Sequence, residues 1–254
     1  MIRSITVLAI LFFLSAISVH AQLLNVESVR ATEDSAGWYG ELEFDLSLNG
    51  YNERVLEFSN ESNLSYFSKK HSYMLLNSLN FVNIDGNSLI SSGYLHLRST
   101  LFRNKKWSPE GFAQYQYNRN LGLNERILFG AGAKYRFYAS ENWRATLSSA
   151  LMLEIEEWQL TGRPSIKNDY LKSTSNMSLR GKLGDAASFL LVGYYQARPE
   201  QFFKARSILE TELEMEITKQ IAVSISFIAS YDAEPIIDIP NLTYALSNGL
   251  VIKL

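Results

Sequence analysis

Residues 206–217 read Arg-Ser-Ile-Leu-Glu-Thr-Glu-Leu-Glu-Met-Glu-Ile. Arg206, Glu210, Glu212, Glu214 and Glu216 hold even positions; Leu209, Thr211, Leu213, Met215 and Ile217 hold odd ones. A repeat of two is the signature of a β-strand with one polar and one apolar face. On a helix the same four carboxylates would spread around the axis. A strand with four charges on one face and hydrocarbon on the other needs water on one side and an apolar medium on the other. Repeated along a chain, that pattern is how a membrane-spanning β-barrel is written.

The pattern does repeat. Residues 38–49 set Trp38, Leu42, Phe44, Leu46 and Leu48 against Glu41, Glu43 and Asp45. Residues 125–138 set Ile127, Phe129, Ala131, Ala133, Tyr135 and Phe137 against Gly130, Gly132, Lys134 and Arg136. Residues 143–159 and 220–232 divide in the same way, the latter as Ile221, Val223, Ile225 and Phe227 against Ala222, Ser224, Ser226 and Ser230. Twelve strands are predicted, at 38–49, 54–67, 71–83, 88–101, 110–119, 125–138, 143–159, 169–183, 187–198, 204–217, 220–232 and 242–254. Asn49-Gly50, Asp85-Gly86, Gly184-Asp185 and similar turn formers separate them. Most are longer than the five or six residues usual in soluble sheets, and match the 9–11 that a tilted strand needs to cross a bilayer. Slipping the register by one residue would place every charge in lipid, at roughly 2–4 kcal/mol for each Arg or Lys near the midplane and less for a carboxylate.

Targeting agrees with this setting. Arg3, the apolar run Ile5–Val19 and the small-x-small triplet Val19-His20-Ala21 read as a secretory signal over residues 1–21, cleaved before Gln22. Residues 22–37 are polar and aperiodic, and are expected to form a flexible periplasmic leader to a barrel over 38–254. The chain contains no cysteine, which excludes a disulfide framework, a cysteine metal site and a lipoprotein anchor. The net charge is −2, without a basic tract, so nucleic acid is not an expected partner. No stretch reaches 18 consecutive apolar residues, which excludes a transmembrane helix. A soluble secreted β-sandwich is the alternative fold, and strand length weighs against it.

An even strand count puts both ends of the sheet on one side, taken as periplasmic. The connections after the second, sixth, eighth and tenth strands are tight, as periplasmic turns should be. Those after the seventh, ninth and eleventh are longer. The link Phe102–Pro109 is too long for its side and breaks the pattern. Trp38, Trp107 and Trp143 fall at periplasmic strand ends, where amphipathic rings favour the membrane interface.

Three segments carry a resemblance. They are Glu110-Gly-Phe-Ala-Gln-Tyr-Gln-Tyr-Asn118 with Arg126-Ile-Leu-Phe-Gly-Ala-Gly-Ala-Lys-Tyr135, then Met152-Leu-Glu-Ile-Glu-Glu-Trp158, and Val192-Gly-Tyr-Tyr-Gln-Ala-Arg198 with the charged strand after it. Together they resemble the salt-stress-induced outer-membrane protein family (YdiY-like, a domain of unknown function). The resemblance implies a Gram-negative outer-membrane barrel and no catalytic motif.

The inward charges are predicted to segregate. A basic arc comprises Arg98, Arg126, Lys134, Arg136, Arg144, Lys172, Arg180 and Lys182. An acidic arc comprises Glu41, Glu43, Glu57, Glu61, Glu210, Glu212, Glu214 and Glu216. Glu110, Glu154, Glu156 and Arg206 stand outside the division. In a closed twelve-strand cylinder the two arcs face each other across the lumen. That arrangement suits a narrow pore for small polar or charged solutes, or a structural, non-conducting barrel whose charges neutralise one another. The expected partners are outer-membrane lipid, the barrel-assembly machinery during insertion, and small polar solutes.

No catalytic residue, cofactor or metal site is predicted. Downstream of the leader only His71 and His96 are available for acid–base work. His71 is expected in a solvated turn and His96 among lumen hydrogen bonds. Glu154 and Glu156 share a face as a rim pair. Gly130-x-Gly132 lies mid-strand, so it reads as room for a bulky neighbour rather than a phosphate loop. An outer-membrane enzyme, or a receptor acting through segments 161–169 and 232–241, are the remaining alternatives.

Overall fold

The computed structural model describes residues 36–50, 54–84, 87–160, 162–218 and 220–252; the predicted signal peptide and nearly all of the leader lie outside them. Twelve strands are present: β1 (Gly37–Gly50), β2 (Arg54–Phe67), β3 (Ser72–Ile84), β4 (Asn87–Thr100), β5 (Trp107–Asn118), β6 (Leu123–Ala139), β7 (Trp143–Trp158), β8 (Ile166–Lys182), β9 (Ala187–Ala197), β10 (Arg206–Glu216), β11 (Ile221–Asp232) and β12 (Leu242–Ile252). They form one sheet in sequence order, β1 to β12, and each successive pair is antiparallel. Observed strand ends lie within three residues of those predicted.

The two faces differ as the alternation requires, and the usual inside–outside rule is inverted. On β7, Leu151, Leu153 and Ile155 are 57%, 55% and 44% exposed, while Glu154 and Glu156 between them are 0% and 1% exposed. Hydrocarbon side chains point outward and ionic ones inward. The end where β1 begins and β12 finishes is called here the near end. It carries outward aromatic pairs: Trp38 with Tyr66 at 4.8 Å, and Trp107 with Tyr135 at 4.4 Å between ring centroids.

The expected closed cylinder is not what the described residues show. β1 and β12 are the two edges of the sheet, and no ladder among the described residues joins them. Side chains account for the difference. Elsewhere, register is held by cross-strand pairs, but β12 turns Thr243, Ala245, Ser247 and Gly249 inward, all too small to reach across. β1 answers with Glu41, Glu43 and Asp45, which are all exposed.

The long β4–β5 link has a physical explanation. It folds onto the β2–β3 turn and is stitched to it. Arg103 N–H donates to the Lys70 carbonyl (2.8 Å), Arg103 Nε to the Ser68 carbonyl (2.8 Å), and Asn104 Nδ2 to the Lys69 carbonyl (2.7 Å). From the other side Arg136 Nη2 donates to the carbonyls of Asn104 (2.7 Å) and Lys105 (3.1 Å). Phe102 takes a left-handed backbone, φ 53°, to start the fold-back. Its carbonyl accepts from Ser108 Oγ (3.0 Å) and its ring lies 5.4 Å from that of His71. The extra residues build a platform rather than a slack loop.

Candidate functional site

The candidate site is the inner face of the sheet, and its two halves differ in character. Between β4 and β10 it is packed. At the near end Glu110 on β5 sits between Arg98 on β4 and Lys134 on β6, each 3.7 Å away, and accepts from Thr100 Oγ1 at 2.8 Å. The register explains this choice of partners: Glu110 stands opposite Thr100 and Gly132, so Arg98 and Lys134 are its diagonal neighbours.

Just above, the Phe112 ring lies under the Arg98 guanidinium (5.4 Å) and beside the His96 ring (6.0 Å). His96 is buried, its Nδ1 2.9 Å from Gln114 Oε1. Phe112 has this space because its cross-strand partner is Gly130; a Cβ there would fall 2.2 Å from the ring. Gly130 therefore makes room for a bulky inward neighbour, as the sequence suggested.

The far end holds a larger cluster. Glu154 on β7 is bridged by Arg126 on β6, Lys172 on β8 and Arg206 on β10, the last at 3.4 Å. Arg206 also meets Glu156 (3.6 Å) and Asp232 (2.9 Å). Glu156 accepts from Asn168 Nδ2 at 3.1 Å. β7 and β10 are not neighbours in the sheet, so Arg206 spans the interior across β8 and β9. Removing water from such charges costs several kcal/mol per ion, and the deficit is recovered only when each finds partners. Here each does.

Between these clusters the inner face is not purely polar. Leu190, Val192, Tyr194 and Ile208 form an apolar inward patch on β9 and β10, with Ile228 of β11 against it. Met74 and Leu76 form a second, beside Tyr94. Trp158 is fully buried at the inward far end of β7 and takes no part in the aromatic girdle. Sequence reasoning missed the first of these patches because β9 is apolar on both faces, so its alternation carries no signal.

The other half, β11–β12–β1–β2, is open. β11 turns Ser224, Ser226 and Ser230 inward beside the small residues of β12, and Ser226 and Ser247 hydrogen-bond across at 2.6 Å. Glu41, Glu43, Glu57 and Glu61 are exposed and form no ion pair among the described residues. Glu43 stands directly opposite Glu61 in register.

The proposed arcs thus share inward parity but not surroundings. Arg98, Arg126, Lys134 and Lys172 are buried in ion pairs with Glu110 and Glu154. Arg136 serves the β4–β5 platform. Arg144 and Arg180 are half-buried toward the near end, and Lys182 is exposed at the rim. Of the acids, Glu210, Glu212 and Glu214 are half-buried and Glu216 is exposed. The residues set aside as exceptions, Glu110, Glu154, Glu156 and Arg206, are the hubs of the packed half. Parity gave their face; only the register shows which base each one meets.

A single meander of long antiparallel strands, apolar outside and ionic within, is a sheet of the kind that outer-membrane β-barrels are built from. The structure of the NanC porin aligns over 84% of this chain and 100% of its own, with TM-score 0.50 and 8% identity. That likeness concerns the fold. The translocator domain of the autotransporter NalP from Neisseria meningitidis aligns over 90% of this chain and 93% of its own, with TM-score 0.47 and 9% identity. No curated protein matches the sequence. The chain belongs to the family described as "Protein of unknown function, DUF481", whose model matches residues 42–253.

Proposed function

We propose that the protein is an outer-membrane barrel, delivered by a signal peptide over residues 1–21, that offers small polar solutes a narrow wet path. The observation that carries this reading is the asymmetry of the inner face. Bulky and ionic side chains fill the β4–β10 side, whereas β11, β12, β1 and β2 present serines, small residues and accessible carboxylates. Small polar linings with unneutralised charge are how pores admit hydrated solutes. The reading requires β1 and β12 to come together in the bilayer, where an unpaired strand edge would leave its backbone groups in hydrocarbon. The resemblance to the salt-stress-induced group supports an envelope setting. Single-channel recording in planar bilayers is the test. Discrete conductance steps are expected; a silent bilayer containing protein that still shows heat-modifiable mobility would overturn the reading.

One observation favours a second reading. The Arg206 bridge to Glu154 and Glu156 crosses the interior at the far end, and a lumen blocked there would make the barrel structural. We read no catalytic role in the inward residues. His96 and His71 have structural work: His96 against Gln114 and Phe112, and His71 accepting from the Phe102 N–H at 3.4 Å.

A further inference from the structure

The stitched turns at the near end carry charge toward the membrane surface. Lys69 and Lys70 in the β2–β3 turn and Lys105 and Lys106 in the β4–β5 link are all exposed. The two turns are held side by side, because Arg103 and Asn104 fasten one to the other through backbone carbonyls. Lys106 already lies at the lipid-facing girdle, its Nζ 5.2 Å from the Tyr135 ring.

Immediately beyond these turns, on the outward face, lies a groove of about 430 Å³. Its size falls within the roughly 300–1,000 Å³ usual for small-ligand sites. The groove exists because β4 and β5 place Ser99, Gly111 and Ala113 outward at this level, beside the larger Tyr66, Tyr73 and Leu75 of β2 and β3. Tyr73, Leu75 and Leu97 wall it on one side, and Tyr66 with Trp38 closes it toward β1. An apolar trough beside two turns that carry four exposed lysines matches a molecule with acyl chains at one end and a phosphate at the other.

We infer that this groove and the two lysine-bearing turns form a binding site for one anionic phospholipid of the leaflet at the near end. Its acyl chain would lie over Gly111 and Ala113 and its phosphodiester among Lys69, Lys70, Lys105 and Lys106. Charge complementarity selects the occupant. A zwitterionic lipid would fit the trough, but its own cation would oppose the lysines, whereas phosphatidylglycerol carries an uncompensated negative charge. The site rests on the membrane-barrel reading and is independent of whether the lumen conducts.

The experiment is native mass spectrometry of the full-length barrel released from mixed micelles of phosphatidylglycerol and phosphatidylcholine. Heat-modifiable mobility is measured on the same sample. Phosphatidylglycerol is expected to be retained one per barrel, with a preference of roughly tenfold, the gain that one or two lysines give near an anionic surface. The combined variant K69Q/K70Q/K105Q/K106Q is expected to retain both lipids equally. Ala113→Leu, which fills the trough with a residue suited to the lipid face, is expected to lose retention of either lipid. Equal retention of the two lipids by the unaltered barrel, or an unchanged preference in the lysine variant, would overturn the inference. Loss of heat-modifiable mobility in the unaltered protein would instead sink the membrane-barrel reading beneath it.

Discussion

Replacing Glu154 with Gln is the sharpest test of the packed half of the interior. The side chain is fully buried and one carboxylate serves Arg126, Lys172 and Arg206. The amide keeps the shape and one acceptor but removes the charge, leaving three cations against Glu156 and Asp232. Removing one partner from a buried ion pair costs about 3–5 kcal/mol. Arg206 retains Asp232 at 2.9 Å and Glu156 at 3.6 Å, so the lower figure, about 3 kcal/mol, is expected. In a domain of this size that corresponds to a fall in melting midpoint of roughly 6–12 °C. The assay is the temperature at which the folded band converts to the unfolded one in detergent, checked by urea titration of tryptophan fluorescence. Glu57→Gln, on the open side, should leave the midpoint where it was. The double variant E154Q/R206Q should fall short of the summed single effects by about 1 kcal/mol or more, as groups sharing one network do. An unchanged midpoint in Glu154→Gln would refute the claim that this buried cluster braces the sheet.

Three further outcomes are expected. Gly130→Ala would drive a methyl into the Phe112 ring, 2.2 Å from where the new Cβ must sit. The expected cost is about 1–3 kcal/mol, recovered in G130A/F112A and read from the same melting midpoints. Leu151→Arg places a cation on the lipid face at mid-strand and should cost about 2–4 kcal/mol and impair insertion; Ser226→Arg, on the inner face, should insert normally in vesicle-folding assays. Ser226→Trp narrows the small-residue wall without touching the ionic clusters; bilayer recordings should show smaller unitary steps with the melting midpoint unmoved. Equal conductance before and after that change would place any path elsewhere.

How much was legible in the sequence depends on which physical rule each residue obeys. Alternation is local and strong, so β1, β6, β7, β10 and β11 could be read with their faces, and a one-residue slip at Glu210–Glu216 was too costly to consider. Gly130 was legible because mid-strand glycine has few reasons to exist, and the Phe112 ring supplies one. The interior partners were not legible. Arg126 stands opposite Glu156 in register yet bridges Glu154, its diagonal neighbour, and Arg206 reaches past two strands to the same carboxylate. Such choices depend on side-chain length and sheet twist. The inward apolar patch on β9 escaped for a different reason: Leu190 and Val192 look no different in sequence from Phe189 and Leu191. The β4–β5 link was the one connection whose length made no sense by side, because its purpose is a contact with a turn more than thirty residues earlier.

Among the described residues every ladder in this sheet joins strands that follow one another along the chain. Such a meander never has to hold one strand waiting for a distant mate. Each new segment needs only to fold back on the strand before it, a short loop closure with a small entropic toll. The molecule can therefore grow from one margin, hairpin by hairpin, with every strand already templated when the next arrives. A closure of β1 on β12, about two hundred residues apart, would lack that help and would be the slow step of assembly.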